Sequence, residues 1–288
     1  MQSVNPRLRL ANRIKVWLAV VTLCVAGVSS AADAPLHFGV FPNLSARALV
    51  LLYQPMQAYL EKALGRPVQI YSAPDFRTFL ERTYNREYDL VVMAPHLARL
   101  AQSEAGYLPL FSYTQELHAV VVVAKSSAIQ GVEDLRGKTV VLPDRLAVMP
   151  MLGLRVLRNH GLQPDVDFKP LYVASHSNSA LAVQRGDAQG AIIGSAPYAQ
   201  FPEELRDSLR VVARSEAIPN QFLLASPNLT PQRIEALRKA LSAFAVAEEG
   251  RRFLENSGFA GLKPASDAEL HKMEPYARDV QNFLKNAK

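Results

Sequence analysis

Short apolar runs alternate with amphipathic stretches along this chain, and that alternation limits its fold more than any other feature. The first cycle pairs an apolar run at Leu36–Phe41 with helical periodicity over Ala46–Leu64, which ends at Gly65. The next runs and helical segments follow in the same order: Val68–Tyr71, Phe76–Tyr84, Leu90–Met93 and His96–Ser103. A strand–helix repeat of this kind predicts a mainly parallel sheet covered by helices.

The alternation restarts after a polar stretch that begins at Ser126. Before it, His118–Lys125 contains four consecutive valines and is the clearest strand of the chain. The later strands and helices are predicted at Lys138–Leu142, Met151–His160, Phe168–Val173, His176–Arg185 and Ala188–Ile193. The chain is then extended from Leu209 to Leu224. The last helices are predicted at Pro231–Ala247, Gly250–Ser257 and Asp267–Leu284.

Two successive sets of strand–helix units predict an α/β protein with two lobes. Lobe 1 would combine residues 33–123 with 216–288, and lobe 2 would be an insertion of residues 124–215. Ligands of open parallel sheets bind beyond the carboxyl ends of the strands. In two lobes these ends would face each other, which predicts a ligand cleft between them.

Residues 1–32 are predicted to be a secretory signal peptide. Its basic residues come first: Arg7, Arg9, Arg13 and Lys15. The apolar run Val16–Val28 follows, and small residues lead to cleavage after Ala31 or Ala32. A transmembrane anchor is the alternative, but the run is shorter than the ~20 residues that span a bilayer.

Removing this segment changes what the composition implies. The chain has 32 Lys and Arg against 26 Asp and Glu, a formal charge of +6, and removing the four basic residues leaves +2. The charge therefore does not predict nucleic-acid binding. The single cysteine, Cys24, lies in the removed segment, so no disulfide can stabilise the remaining residues.

The sequence carries none of the common motifs of catalysis or cofactor binding. HExxH, GxSxG, a P-loop and GxGxxG are absent, and the six histidines have no metal-ligand spacing. We therefore expect no cofactor, no metal and no catalytic residues. An enzyme on this scaffold stays the less favoured alternative, because a fold does not determine a function.

Several short motifs, in order and spacing, resemble the phosphonate/phosphite-type periplasmic binding proteins of ABC importers. In the first half of the chain they are Phe38-Gly39-Val40, Ala73-Pro74-Asp75-Phe76, Tyr88-Asp89-Leu90-Val91 and Pro95-His96-Leu97-Ala98. In the second half they are Asp134–Val140, Ser175–Val183, Ile218-Pro219-Asn220 and Glu248-Glu249-Gly250. The resemblance covers most of the chain after residue 32 and implies the type II binding-protein fold.

The resemblance also implies where ligand contacts lie, and here the sequence departs from the family. Phosphonate-binding members carry a Ser-Thr-Ser cluster where this chain has Pro143–Val148, which has no hydroxyl. A family acidic residue that contacts the substrate amine corresponds to Gln221, and a family tyrosine to Met93. The histidine of the Ser-His motif is retained as His176. With Leu146, Val148 and Met149 at the cluster, a larger and partly hydrophobic solute is an alternative ligand.

His176 is the favoured ligand-binding residue, at the start of a helix in lobe 2. Ser177 and Ser179 offer further donors, although capping of the same helix explains them equally well. Arg145 could bind a carboxylate or phosphate through its guanidinium fork, or it could be a solvated loop residue.

The other candidates follow strands of lobe 1 or correspond to family contact positions. Asn43 and Ser45 either cap the first helix or face the cleft. His96 follows Pro95 at the first turn of a helix, and Gln221 and Tyr198 are supported by the resemblance alone.

The resulting hypothesis is a monomeric periplasmic solute-binding protein of an ABC importer. It would close on a small anionic or zwitterionic solute without transforming it and would then dock on a membrane permease. The alternative partner is a membrane receptor or kinase, to which a sensory binding protein would present its ligand.

Overall fold

The computed structural model describes residues 34–173 and 175–286. The predicted signal peptide, with Cys24, lies outside the described residues. Within them, no helix is both long and apolar enough to span a membrane.

The strands form two separate sheets. Their bounds are β1 Leu36–Val40, β2 Val68–Tyr71, β3 Leu90–Met93, β4 Leu108–Tyr113, β5 Ala119–Ala124, β6 Thr139–Leu142, β7 Lys169–Tyr172, β8 Gly190–Gly194, β9 Leu209–Arg214, β10 Phe222–Ala225 and β11 Leu262–Pro264. Sheet 1 has the order β11-β4-β10-β3-β1-β2, and sheet 2 has the order β7-β6-β8-β5-β9. The strands β1, β2 and β3 pair in parallel, as do β6, β7 and β8, whereas β5 and β10 run antiparallel to their neighbours.

Helices follow most of the parallel strands. They are α1 Ala46–Leu64, α2 Phe76–Tyr84, α3 Pro95–Ala105, α4 Val148–Asn159, α5 His176–Gln184, α6 Ser195–Ala199, α7 Glu203–Asp207, α8 Pro231–Val246, α9 Glu248–Ser257, α10 Asp267–His271 and α11 Glu274–Asn286. Helix α1 has the predicted bounds because Ser45 caps its first turn and Gly65 ends it in the left-handed region (φ 62°).

The chain passes between the sheets twice, and the two passages are hydrogen-bonded to each other. Leu117 and Ile218 form an antiparallel bridge. Strand β5 begins two residues after Leu117 and pairs with β8 and β9, so it belongs to sheet 2. A lobe boundary at residue 123, as the sequence predicts, would place β5 in lobe 1; the pairing instead puts the first boundary before Ala119.

Two apolar clusters cover the faces of sheet 1, and one of them continues into sheet 2. On one face, α1, α8 and α9 bury rings that include Tyr53, Phe244 and Phe253. On the other face, α2 and α3 form a cluster that reaches Met149 of α4 and Ile192 of β8. A third cluster fills the opposite face of sheet 2 against α5. The continuous middle cluster shows that the two lobes pack directly against each other.

The strand–helix pattern of the sequence does not predict the short elements β4, β11, α6 and α7. Strand β4 contains Pro109 and follows α3 after two residues, so its local pattern does not separate it from a loop. The helix predicted over Asp267–Leu284 is divided into α10 and α11.

Gly250, in the first turn of α9, tests the junction between α8 and α9. A Cβ at this position would lie 1.7 Å from the backbone oxygen of Phe244, so Gly250→Ala must displace backbone. We expect a loss of about 2 kcal/mol in the free energy of unfolding, measured with urea. In Gly131→Ala the new methyl meets only the carboxylate of Glu133, the end of an exposed side chain that can shift. This control should therefore unfold like the wild type. Equal stability of both variants would contradict the close approach.

Candidate functional site

A cavity of about 340 Å³ lies between the two sheets. Residues that follow β1, β2 and β3 in lobe 1, and β6, β7 and β8 in lobe 2, line it. They include Phe41, Asn43, Phe76, Ala94, Ala147, Val148, Met149, His176, Gly194 and Ser195. The remaining lining residues come from the two chain passages, from α6 and the residue after it, and from the end of α9: Gln115, Leu117, Asn220, Gln221, Ala196, Pro197, Ala199, Gln200, Ser257, Gly258 and Phe259. The cavity therefore lies at the carboxyl ends of the parallel strands, where the strand–helix pattern predicted a cleft.

Two long helices begin at this cavity without a side-chain cap. The N-cap residue of α3 is Ala94 and that of α4 is Ala147, and neither side chain can accept a hydrogen bond from the first turn. In contrast, Ser45, Asp75 and Ser175 cap α1, α2 and α5. The first amides of a helix have no partner within the helix, and the helix dipole is positive there. The start of α4 thus offers the N–H groups of Val148 and Met149 to an anion, whereas α3 begins with Pro95, which has no N–H, so its free donors start at His96.

His176 lines the cavity as a neutral hydrogen-bond donor. Its Nδ1 accepts the backbone N–H of Gly194 at 3.3 Å, so this nitrogen carries no proton. In a neutral imidazole the proton then lies on Nε2. Burial lowers the pKa of His176 to about 4, which keeps the ring uncharged at neutral pH.

Asn220 and Gln221 lie on the second chain passage and are buried. The hydroxyl of Tyr53 donates to Oε1 of Gln221 at 3.0 Å, and the backbone N–H of Gln221 donates to Oδ1 of Asn220 at 2.8 Å. Tyr53 belongs to α1 on the far side of sheet 1. The orientation of the Gln221 amide is therefore set by a helix that does not itself line the cavity.

The lining contains no Asp, Glu, Lys or Arg among the described residues. Its largest side chains are apolar: Phe41, Phe76, Leu117, Met149 and Phe259. Within the described part of the chain, no group of His, Cys, Asp or Glu could hold a metal ion. The site can therefore offer a ligand neutral hydrogen-bonding groups and apolar contacts, but it offers no charged side chain.

Three predicted site residues, Asn43, His176 and Gln221, line the cavity. Ser45 caps α1, and Ser179 is buried and donates to the backbone oxygen of Ser175 at 3.2 Å.

The other predicted residues lie outside the cavity lining of the described chain. Arg145 is exposed, with its guanidinium 4.1 Å from the ring centre of Tyr172. Ser177 is exposed on α5, and Tyr198 packs against Phe201.

Some lining residues outside the predicted set carry a signal in the sequence. Phe76 and Asn220 belong to the motifs that resemble the family, and Val148 and Met149 lie where the resemblance places hydroxyls. Gln115 and the Gly258-Phe259 turn carried no pattern that distinguishes a cavity residue from an ordinary loop.

His96 connects the lobes instead of lining the cavity. Its ring lies in the first turn of α3, is fully buried, and donates from Nε2 to the backbone oxygen of Leu146 at 2.8 Å. Leu146 precedes α4, so the bond joins lobe 1 to the loop that carries the first amides of α4. Burial lowers the pKa of His96 to about 4.

The two lobes and the cavity between them define a type II periplasmic binding protein. Residues 38–270 match the family described as ABC transporter, phosphonate, periplasmic substrate-binding protein. The chain belongs to this family, which confirms the resemblance and the fold predicted from the sequence.

Named relatives cover nearly the whole chain. The phosphonates-binding periplasmic protein of Escherichia coli is 23% identical over 98% of this chain and 88% of its own length. A binding protein component of an ABC phosphonate transporter from Pseudomonas aeruginosa is 19% identical, with a TM-score of 0.72 over 85% of this chain and 86% of its own. A Prochlorococcus marinus structure in complex with methylphosphonate is 14% identical, with a TM-score of 0.74 over 86% and 98%.

The His96 bond predicts how stability depends on pH. The pKa of His96 in the folded protein, about 4, is below the ordinary histidine value of 6.5. Between pH 4 and pH 6.5 the unfolded chain therefore binds more protons than the folded protein. Stability is therefore complete above about pH 6.5 and decreases as the pH falls towards 4, by about 2 kcal/mol for this group at pH 5. His96→Gln keeps an N–H donor but does not titrate, so its stability should decrease less.

Urea unfolding at pH 7 and pH 5 measures this difference. His271→Gln, at an exposed position on α10, is the control and should keep the wild-type decrease. A His96→Gln variant that loses as much stability as the wild type would contradict the assignment.

Proposed function

We propose that the cavity between the lobes is the ligand site of this ABC-transporter binding protein, and that its ligand is a small anionic solute with an apolar part. The observation that carries the proposal is the pair of uncapped helix ends at Ala94 and Ala147. Together with the N–H of His176, they supply donors from both lobes to one space.

The backbone at α4 can take the place of the hydroxyl cluster of the family. Val148 and Met149 are the first two residues of α4, and both line the cavity. Their amides belong to the orphan donors of a helix start, while Pro150 has no N–H. An anion held by backbone amides needs no hydroxyl or guanidinium, and this supports an anion site that does not include Arg145.

The apolar lining supports a solute with a carbon body. Phe41, Phe76, Met149 and Phe259 surround a volume near the lower limit of small-molecule sites, about 300 Å³. Phosphonates are the first class to test, because the family is described by them and a structural relative holds methylphosphonate. Sulfonates and carboxylates present the same acceptor oxygens.

We infer binding without turnover, followed by docking of the closed form on a permease. Among the described residues, His176 is the only lining side chain with an ionisable group; its pKa of about 4 keeps it neutral near pH 7, and its Nδ1 is engaged with Gly194. General acid–base chemistry would need a second group placed at the reacting atoms. The protein is proposed to act as a monomer and without nucleic acid.

We also infer that residues 1–32 are a cleaved signal peptide that directs the chain to the periplasm. Expression with the full sequence should yield a periplasmic protein that begins at Ala32 or Asp33, as measured by intact mass. Replacing Arg7, Arg9, Arg13 and Lys15 with Glu should retain the precursor in the cytoplasm. A membrane-bound protein of full length would contradict cleavage.

A thermal-shift screen tests the ligand class. Phosphate, phosphite, alkylphosphonates, alkylsulfonates and carboxylates should include at least one anion that raises the melting temperature. A ligand at 100 times its Kd adds about 2.7 kcal/mol, which is a shift of about 5 to 10 °C at this size.

The Val148→Pro variant tests the role of the α4 amides. Proline is tolerated at the first helical position and removes only the N–H there. We expect its Kd for the anion found in the screen to rise about tenfold or more, whereas Val148→Ala keeps the N–H and should bind nearly as the wild type. The proposal fails if no anion shifts the melt, or if both variants bind equally.

A further inference from the structure

Three polar side chains of the cavity, those of His176, Asn220 and Gln221, share one property: an acceptor atom of each is engaged by a donor of the protein. Nδ1 of His176 accepts from Gly194, Oε1 of Gln221 from Tyr53, and Oδ1 of Asn220 from the N–H of Gln221. The hydrogens that these side chains hold for a solute are the Nε2–H of His176 and the NH₂ groups of the two amides. Among the described residues these three groups have no protein acceptor.

The orientation of Gln221 is decisive, because an unconstrained amide could present its oxygen as well. Tyr53 is buried at 1% exposure in the α1 core. Burial raises its pKa well above the ordinary value, so the hydroxyl keeps its proton and can donate. With Tyr53 as the donor, Oε1 of Gln221 lies against the hydroxyl, and the NH₂ group is the part of the amide left for the cavity.

The remaining polar side chains are hydroxyls or exposed amides. Ser195 and Ser257 are partly buried in the lining, and their hydroxyls can donate or accept. Asn43, Gln115 and Gln200 are exposed, so their amides can rotate and water reaches them. The buried amides thus present donors, while neutral acceptors occur on the hydroxyls and at the open side. A carboxylate is present at neither place within the described lining.

We propose, on the basis of the function proposed above, that this site selects anions that lack an ammonium group and discriminates against short zwitterions. An ammonium group has three donors and no acceptor. Within a few atoms of a bound anionic head it would lose water and meet further donors, which is unfavourable for a buried charge. The expected ligand is then an anion and not a zwitterion, and Gln221 is the residue that distinguishes the two classes of solute.

Three pairs of probes that differ by one ammonium group test this selection by isothermal titration calorimetry. They are ethylphosphonate and 2-aminoethylphosphonate, ethanesulfonate and 2-aminoethanesulfonate, and propanoate and 3-aminopropanoate. For each head group that binds, the Kd of the wild type should be at least tenfold lower for the member without the amine. Equal or tighter binding of the amine overturns this inference and leaves the anion site standing. Absence of binding by all six overturns the anion site as well.

Substitutions at Gln221 and its partner test the cause. Gln221→Glu places a carboxylate where Tyr53 still donates, and the order within each pair should reverse. Gln200→Glu adds the same charge at the exposed side and should change the ratio less. Tyr53→Phe removes the donor that orients Gln221, so the preference should decrease towards equality even if Gln221→Glu does not fold. Selectivity that is unchanged in Gln221→Glu or in Tyr53→Phe would overturn the role of the oriented amide.

Discussion

The site depends on the hydrogen-bonded bridge between the two chain passages. Leu117 donates to the oxygen of Ile218 at 2.9 Å, and Ile218 donates back to Leu117 at 2.8 Å. This reciprocal pair holds the passages side by side, so that Gln115 and Leu117 of one and Asn220 and Gln221 of the other enter the same cavity. It also directs β5 into sheet 2 and β10 into sheet 1, which makes the carboxyl ends of the two sets of parallel strands face each other.

Much of this fold could be predicted locally, and the parts that could not depend on partners distant in sequence. Helix α1 was predictable because Ser45 and Gly65 mark its ends. The sheet that β5 joins was not, since its partners β8 and β9 follow about 70 and 90 residues later. Arg145 shows the same limit at the site: only the position of Tyr172 shows that its guanidinium lies on that ring. Asn220, in contrast, was predictable as a lining residue, because it belongs to the Ile218-Pro219-Asn220 motif that resembles the family.

The start of α4 and Gln221 both direct donors towards the cavity. Val148 and Met149 carry no hydroxyl, so their backbone amides are the groups that α4 can offer there, and Gln221 holds its NH₂ free because Tyr53 donates to its oxygen. An acidic residue at position 221 would add an acceptor for an ammonium group. With amide donors beside apolar walls, the cavity fits a solute with acceptors at one end and carbon at the other.

The donors from α4 reach the groups of lobe 1 only when lobe 2 is held against it, and two side-chain contacts add to the shared apolar cluster in doing this. His96 bonds to Leu146 just before α4, and Tyr276 of α11 lies beneath the guanidinium of Arg155, 4.7 Å from its ring centre, further along α4. Tyr276 also donates to Glu216 on the second passage at 3.0 Å. Separating the lobes would break these contacts and withdraw the amides of Val148 and Met149 from the groups of lobe 1. A ligand that uses both sets of donors therefore stabilises the closed arrangement, and its affinity includes the free energy of closure.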